Sequence, residues 1–182
     1  MKKEWIEIMK RTGRIKLSFW DSLTHYFVVL FLLLPLIFIS FDWIKYIITG
    51  EYTGVRTLRE MFIVNIPFVI LAVAFYFIQY KRLYFKTIKT SLSHDLIKDA
   101  IESTAKELDW IPFINTKYCK VFKTFPKWYT GSWGEQITIL LDNDKVMINS
   151  ICDPDKRASV VSVGRNRKNM RQLIDKIKNA SR

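Results

Sequence analysis

The distribution of apolar and polar residues divides the chain into two uninterrupted apolar stretches and a longer region in which both kinds of residue alternate. Residues 22–41 and 61–80 contain no charged residue in twenty positions each. Twenty residues of α-helix extend about 30 Å, the thickness of the hydrocarbon core of a bilayer. Each stretch contains one proline, Pro35 or Pro67, which membrane helices tolerate. The pattern predicts two transmembrane helices joined by an outward loop at 42–60.

Beyond residue 80, the apolar residues first follow the spacing of a helix. They recur every three or four positions through 80–92, which predicts that the second apolar helix continues to about residue 92. The serines at 91 and 93 then offer an N-cap, and Asp95 suits the first turn of a new helix. This new helix, which follows the second apolar helix, is predicted at about 95–108.

After Pro112 the pattern changes to that of strands. Strands are predicted at 117–125, 135–141, 145–152 and 158–163, with the turn sequences Asp142-Asn143-Asp144 and Asp153-Pro154-Asp155 after the second and third of them. A last helix is predicted at about 166–179. The predicted fold is therefore a membrane α-helical hairpin of two transmembrane helices followed by a small cytoplasmic α+β domain. That domain contains a helix, three to four antiparallel strands and a helix, with both helices covering one sheet face.

The charge of the chain lies outside the two apolar stretches. The formal net charge is +12, of which residues 1–20 contribute +4 and residues 81–182 contribute +9. Because Lys and Arg favour the cytoplasmic side of a membrane, both termini are predicted to be cytoplasmic. The chain is interpreted as an integral protein of a bacterial inner membrane. Its parts are a basic amphipathic cytoplasmic segment (1–21), the hairpin (22–80) and a basic cytoplasmic domain (81–182).

The N-terminal segment allows two interpretations. Its apolar residues, including Trp5, Ile6 and Met9, alternate with Lys and Arg, partly at helical spacing. Such a segment can lie on the anionic inner surface of the membrane. Equally, it can be a flanking sequence that only sets the topology.

A basic surface is the first candidate binding site. Three of its residues are predicted near the start of the last helix, where the helix dipole does not favour positive charge. This placement indicates a function, such as contact with anionic headgroups, an acidic partner, or a phosphate held at Gly164-Arg165-Asn166. A solvated basic face is the alternative. The candidate residues are Lys156, Arg157, Arg165, Arg167, Lys168 and Arg171.

An aromatic sequence at 125–133 is the second candidate. Trp128, Tyr129 and Trp133 accompany a lysine, a proline and a glycine there. Exposed aromatic residues beside basic ones insert at lipid headgroups or stack on bases. Alternatively, Trp128 and Trp133 close the end of a small core.

The sequence contains no motif that requires catalysis. No nucleophile elbow, zinc-protease or phosphate-loop motif is present, so no cofactor or metal is expected. Cys119 and Cys152 are predicted to be free thiols. A lipid-acting enzyme would have Glu135, Asp153 and Asp155 as its candidate groups.

These observations favour a membrane-anchored, non-enzymatic binding or accessory module. Its basic cytoplasmic domain would contact a protein partner or anionic lipid of the inner leaflet, and its helices would contact the lipid bilayer. A membrane-protein partner and a homo-oligomer are both compatible with the second apolar stretch, which contains Asn65, Ala72 and Ala74. The alternatives are a membrane-tethered nucleic-acid- or nucleotide-binding domain and a lipid-acting enzyme.

Overall fold

The computed structural model describes residues 2–52, 54–127, 129, 131–142, 144–157, 162 and 164–181. It divides into two compact units. The helical unit is Tyr26–Tyr80, and the α+β unit combines the described residues of Met1–His25 and Lys81–Arg182. The N-terminal residues, which the sequence indicated as a separate segment, thus belong to the same unit as the sheet.

Two long apolar helices make up most of the helical unit. They are α3 (Phe27–Thr49) and α4 (Leu58–Arg82), with Pro35 and Pro67 inside them. Helix α3 extends through 42–49, which the sequence placed in the outward loop. It ends at Gly50, whose positive φ of 68° lets its N–H donate to the carbonyl of Tyr46 at 2.9 Å.

The apolar side chains of α3 and α4 have few partners in this chain. Only 11% and 6% of the most apolar 18-residue windows of the two helices are buried. Inside the unit, the rings of Tyr26 and Tyr76 stack at 5.5 Å. The amide of Asn65 donates to the carbonyl of Met61 in its own helix at 2.7 Å.

An antiparallel five-stranded sheet forms the centre of the α+β unit. The strands are β1 (Lys86–Lys89), β2 (Ile111–Asn115), β3 (Cys119–Lys123), β4 (Glu135–Asp142) and β5 (Lys145–Cys152). Their order across the sheet is β1-β5-β4-β3-β2. The hairpin between β4 and β5 closes with Asp142 opposite Lys145.

Two helices cover one face of this sheet. They are α5 (His94–Glu107) and α6 (Arg165–Ala180). Ile101 from α5 and Leu173 from α6 are fully buried against Ile137, Ile139 and Ile148 of the strands. Since period-two alternation places Ile137 and Ile139 on the same side of β4, this face forms the main core.

The opposite face is covered by the N-terminal helix. Helix α1 (Lys3–Thr12) buries Ile6 and Met9 against Val121, Leu140 and Met147. The Lys10 ammonium also binds the Asp142 carboxylate at 2.9 Å. The short helix α2 (Phe19–His25) follows α1 in the same unit.

The segment after α1 pairs with the segment after α4. The N–H of Ile15 donates to the carbonyl of Leu83, and the N–H of Phe85 donates to the carbonyl of Gly13. The Asn149 amide of β5 donates to the carbonyls of Arg82 and Tyr84, both at 2.8 Å. The chain leaving α4 is therefore fixed to the sheet immediately.

This pairing corrects the prediction of a helix continuing to residue 92. Helix α4 ends at Arg82, and β1 follows where the helix was expected. The apolar residues at 83 and 85 lie two positions apart, which is the spacing of an extended backbone, and both pack against the unit. The three to four predicted strands become five, since β1 and β2 were missed.

Most other elements match their predictions. Helix α5 begins after Ser93, whose hydroxyl accepts from the N–H of Leu96. Helix α6, strands β3 to β5, the pairing of β4 with β5, the turn at Asp153-Pro154-Asp155 and the placement of both helices on one face are confirmed. Of the predicted strand at 158–163, all but Ser162 lies outside the described residues, as does Asn143 of the hairpin.

Candidate functional site

The structure divides the predicted basic surface among several places. Lys156 donates to the carbonyl of Thr124 at 3.2 Å, and its ammonium lies 3.8 Å from the ring centre of Phe125. The Arg157 guanidinium lies 4.6 Å from the ring centre of Trp133. These two residues therefore lie beside the aromatic sequence, while the other four belong to α6.

The four basic residues of α6 do not share one environment. Arg165 lines a cavity with Trp110 and Phe125. Lys168 is exposed, and Arg171 is exposed and lies 3.6 Å from Asp175. The Arg165 cavity also contains Lys106, Lys127 and the acidic Asp109. Arg167 lines a different cavity, in which every other described charged side chain is basic.

The predicted aromatic residues lie at the surface where the structure describes them. Tyr129 is largely exposed and has the Lys127 ammonium 5.9 Å from its ring centre. Trp133 is 45% exposed, so its ring does not close a core completely. Trp128 lies outside the described residues.

A strongly basic cavity lies where the end of α4, the start of β1 and the first turn of α6 meet. Its volume is about 410 Å³, and we call it the basic cavity. Four cationic side chains and no described acidic side chain line it. The lining residues that matter here are Lys81, Arg82, Lys86, Ser150, Ser162, Asn166 and Arg167.

A chain of hydrogen bonds holds the polar floor of the basic cavity in place. Ser150 of β5 donates to Asn166 at 2.9 Å and accepts from the amide of Asn169 at 3.2 Å. The Asn169 carbonyl oxygen in turn accepts from the indole N–H of Trp110 at 3.3 Å. Because these side chains are already paired, the first turn of α6 is fixed against the sheet beside Arg167.

Three of the four cations of the basic cavity have no ion-pair partner within the described part of the chain. Lys81, Lys86 and Arg167 form no ion pair with any described carboxylate. A concave site that concentrates positive charge attracts anions. Lysine binds a phosphate as a point charge, whereas arginine binds it through two parallel N–H groups. The basic cavity contains both residue types.

Sequence reasoning missed three of the four cations in the basic cavity. Lys81, Arg82 and Lys86 were interpreted as flanking charges that set the topology. The missing information was the pairing of β1 with β5, which places Lys86 opposite Ile148 and brings this segment beside α6. The arginine at the start of α6, against the preference of the helix dipole, was the available signal.

Of the three candidate catalytic carboxylates, Glu135 and Asp153 are buried and Asp155 is exposed, and all three belong to polar networks. Thr124 and Ser132 donate to Glu135, which is almost completely buried. Lys123 binds Asp153 at 3.1 Å and also pairs with Asp155. The described contacts of these carboxylates join β3 to β4 and to the turn after β5, which gives them a structural role.

The Lys123 ammonium remains charged in this network. Burial alone would lower the pKa of Lys123, but the hydrogen bonds to Asp155 and Asp153 and their charges raise it above its ordinary value. Lys123 therefore compensates two carboxylates at this end of the sheet.

Neither Cys119 nor Cys152 forms a disulfide within the described part of the chain. Burial raises the pKa of the Cys119 thiol to about 11, so it stays protonated and unreactive near neutral pH. Cys152 is half-buried. Among the described residues, no three His, Cys, Asp or Glu side chains are grouped so that they could hold a metal ion.

The two units together define a class of protein rather than a family. Helices α3 and α4 have the length and composition of membrane-crossing helices, and a five-stranded antiparallel sheet with helices follows them. No protein-family model matches the chain, and no curated protein matches it.

Proposed function

We propose that this chain is a membrane-anchored, non-enzymatic module whose basic cavity binds the anionic headgroups of lipids. Helices α3 and α4 would cross the bilayer, with both chain ends on the cytoplasmic side. The single observation that carries the proposal is the cavity itself, whose lining contains four cationic side chains and no described acidic one.

The exposure of the apolar helices supports the anchor. A core helix of a soluble protein would be mostly buried, whereas α3 and α4 leave large side chains such as Phe31, Ile70 and Phe77 more than half exposed. Leaving this much apolar surface in water is unfavourable by about 25 cal/mol for each Å². A bilayer removes that cost.

The position of the basic cavity in the chain supports the headgroup as its ligand. Lys81 and Arg82 are the last two residues of α4, and Lys86 follows four residues later. Basic residues immediately cytoplasmic of a membrane helix are attracted to anionic lipid by about 1 kcal/mol each. The orientation follows from the Lys and Arg residues on either side of the spans.

The orientation has a direct test with a thiol reagent that cannot cross membranes. In a Cys119→Ala, Cys152→Ala background, a cysteine at exposed Lys98 should react only from the cytoplasmic side. A cysteine at exposed Glu51 should react only from the opposite side. The reverse pattern would overturn the proposed orientation.

The headgroup proposal is tested with the full-length protein in nanodiscs. Bound lipid is counted by native mass spectrometry in phosphatidylcholine alone and with phosphatidylglycerol added. We expect retained phosphatidylglycerol in the native protein and a loss of about tenfold or more when Lys86→Gln and Arg167→Gln are combined. The matched control combines Lys3→Gln and Lys178→Gln, which removes the same charge from exposed residues elsewhere.

Two results would overturn the proposal. One is equal loss of phosphatidylglycerol in the cavity variant and in the control, because general charge would then explain the binding. The other is salt-dependent binding of RNA or DNA oligonucleotides without any retained anionic lipid. That second result would favour a tethered nucleic-acid-binding domain.

A further inference from the structure

A second cavity lies on the other face of the sheet, between α1 and strand β4. Its volume is about 340 Å³, within the range of small-molecule sites. We call it the α1 cavity. Its walls are mainly apolar, and the side chains that matter here are Trp5, Met9, Ile15, Thr138, Lys2 and Lys16.

Thr138 gives this cavity a polar group without a partner. The residue is 2% exposed, and its hydroxyl has no hydrogen-bond partner in the described part of the chain. A buried hydroxyl left unpaired is unfavourable, so such groups in native folds call for an explanation. A ligand atom that accepts a hydrogen bond in the cavity would supply the missing partner.

The charges that line the α1 cavity select the sign of that ligand. Of the two carboxylates in the lining, Asp155 pairs with Lys123, whereas Asp21 accepts from the N–H of Ser18 at 3.2 Å and keeps its charge. Lys2 and Lys16 form no ion pair with a described carboxylate. The Lys16 ammonium lies 5.2 Å from the ring centre of Trp5. Two lysines and one carboxylate of the lining thus have no ion-pair partner among the described residues, and their summed charge is positive.

We propose that the α1 cavity binds a single-chain anionic amphiphile, the simplest of which is a fatty-acid carboxylate. The carboxylate accepts from the Thr138 hydroxyl and is attracted by Lys2 and Lys16. The hydrocarbon chain lies against Trp5, Met9 and Ile15. A carboxylate suits this site because it only accepts hydrogen bonds, whereas the threonine hydroxyl and the lysines can all donate.

The proposal makes Thr138→Val an informative substitution. Valine has nearly the same shape, and it removes the unpaired hydroxyl, so the melting temperature of the empty protein should stay the same or rise. Binding of the carboxylate should weaken by about tenfold or more, because a hydrogen bond to a charged group is lost. If Thr138 had only a structural role, Thr138→Val would not weaken binding while the melting temperature stayed the same or rose.

Binding is measured by photocrosslinking to the full-length protein in phosphatidylcholine nanodiscs. The probe is decanoic acid with a diazirine at the end of its chain, and peptides are identified by mass spectrometry. We expect the native protein to be labelled at residues 5–17. Labelling should be about tenfold weaker in Thr138→Val. It should be unchanged in the matched control Thr87→Val, which alters an exposed strand residue. Labelling of α3 and α4 peptides serves as the internal reference.

A neutral probe and a second variant complete the test. Decanol with the same diazirine should label residues 5–17 much less than the acid does. Lys16→Gln should reduce labelling by the acid, even if Thr138→Val does not fold. Equal labelling of this segment by acid and alcohol, or no effect of either variant, would overturn the proposal.

Discussion

The two units of this chain use similar apolar residues in opposite ways. In the α+β unit, Ile137, Ile139 and Ile148 have no exposed surface. In the helical unit, Ile63 and Ile70 are 52% and 62% exposed. Because the residue type is the same, the difference in exposure reflects the surroundings of each unit. One unit creates its own apolar interior, and the other presents apolar surface outward, as a helix in lipid does.

The largest expected effect tests the interior of the α+β unit. Lys123→Ala leaves Asp153 buried without its cation, which should destabilise this unit by about 3–5 kcal/mol. The matched control is Lys98→Ala, because Lys98 forms an exposed pair with Glu102 at 3.8 Å. The control should change stability by less than about 0.5 kcal/mol. Thermal unfolding of the full-length protein measures both, and similar effects would show that the network is not important for stability.

The next prediction compares two leucines of equal exposure in the two units. Leu71 of α4 and Leu96 of α5 are both 47% exposed. If α4 lies in lipid, Leu71→Arg should reduce membrane insertion by about 2.5–3.5 kcal/mol. Leu96→Arg should have little effect, because Leu96 would face water. The fraction of protein that resists carbonate extraction from membranes measures insertion, and equal outcomes for the two variants would remove the distinction between the units.

A third prediction tests whether α1 belongs to the core of the α+β unit. Met9 is buried against the sheet, so Met9→Ala should lower the stability of the α+β unit by about 2 kcal/mol or more. Glu7→Ala, on the exposed side of the same helix, is the control. Thermal unfolding measures both. If α1 instead lay on the membrane surface, Met9→Ala would leave the unfolding temperature of this unit unchanged.

Per pH unit, the smallest expected effect is a dependence of stability on alkaline pH. The folded α+β unit holds the proton of Cys119 up to a pKa of about 11, against 9.0 for an ordinary cysteine. The unfolded chain releases this proton first, so stability should be complete below pH 9 and fall by about 1.4 kcal/mol per pH unit between 9 and 11. Cys119→Ala should remove this part of the slope in pH-dependent unfolding. An identical slope in the variant would show that Cys119 is not the source of this pH dependence.

The sequence predicted the elements whose apolar spacing continues over many residues. Helices α5 and α6 and strands β4 and β5 each have a buried face with a regular period, and each lies close to its predicted position. Strand β1 was missed because Ile88 is the only one of its four residues that is partly buried. Strand β2 contains Pro112, which strands tolerate at a sheet edge but which does not indicate a strand from sequence alone.

Long-range pairing explains what the sequence could not predict about the candidate sites. The basic cavity requires residues 81–86 to lie beside 166 and 167, which depends on the antiparallel pairing of β1 with β5. Helix α1 was recognised as amphipathic, but its partner could be a membrane or a sheet. The apolar residues Val121, Leu140 and Met147 on the second sheet face were the signal that a further element covers it.

The most direct test of the account is to measure the solvent around matched positions in the two units. Spin labels are placed at Leu71 and Leu96 in the Cys119→Ala, Cys152→Ala background and reconstituted in liposomes. Electron paramagnetic resonance then gives collision rates with oxygen, which concentrates in lipid, and with a polar nickel chelate, which stays in water. We expect oxygen to dominate at Leu71 and the nickel chelate to dominate at Leu96. Dominance of the nickel chelate at both positions would contradict the assignment of α4 to the membrane.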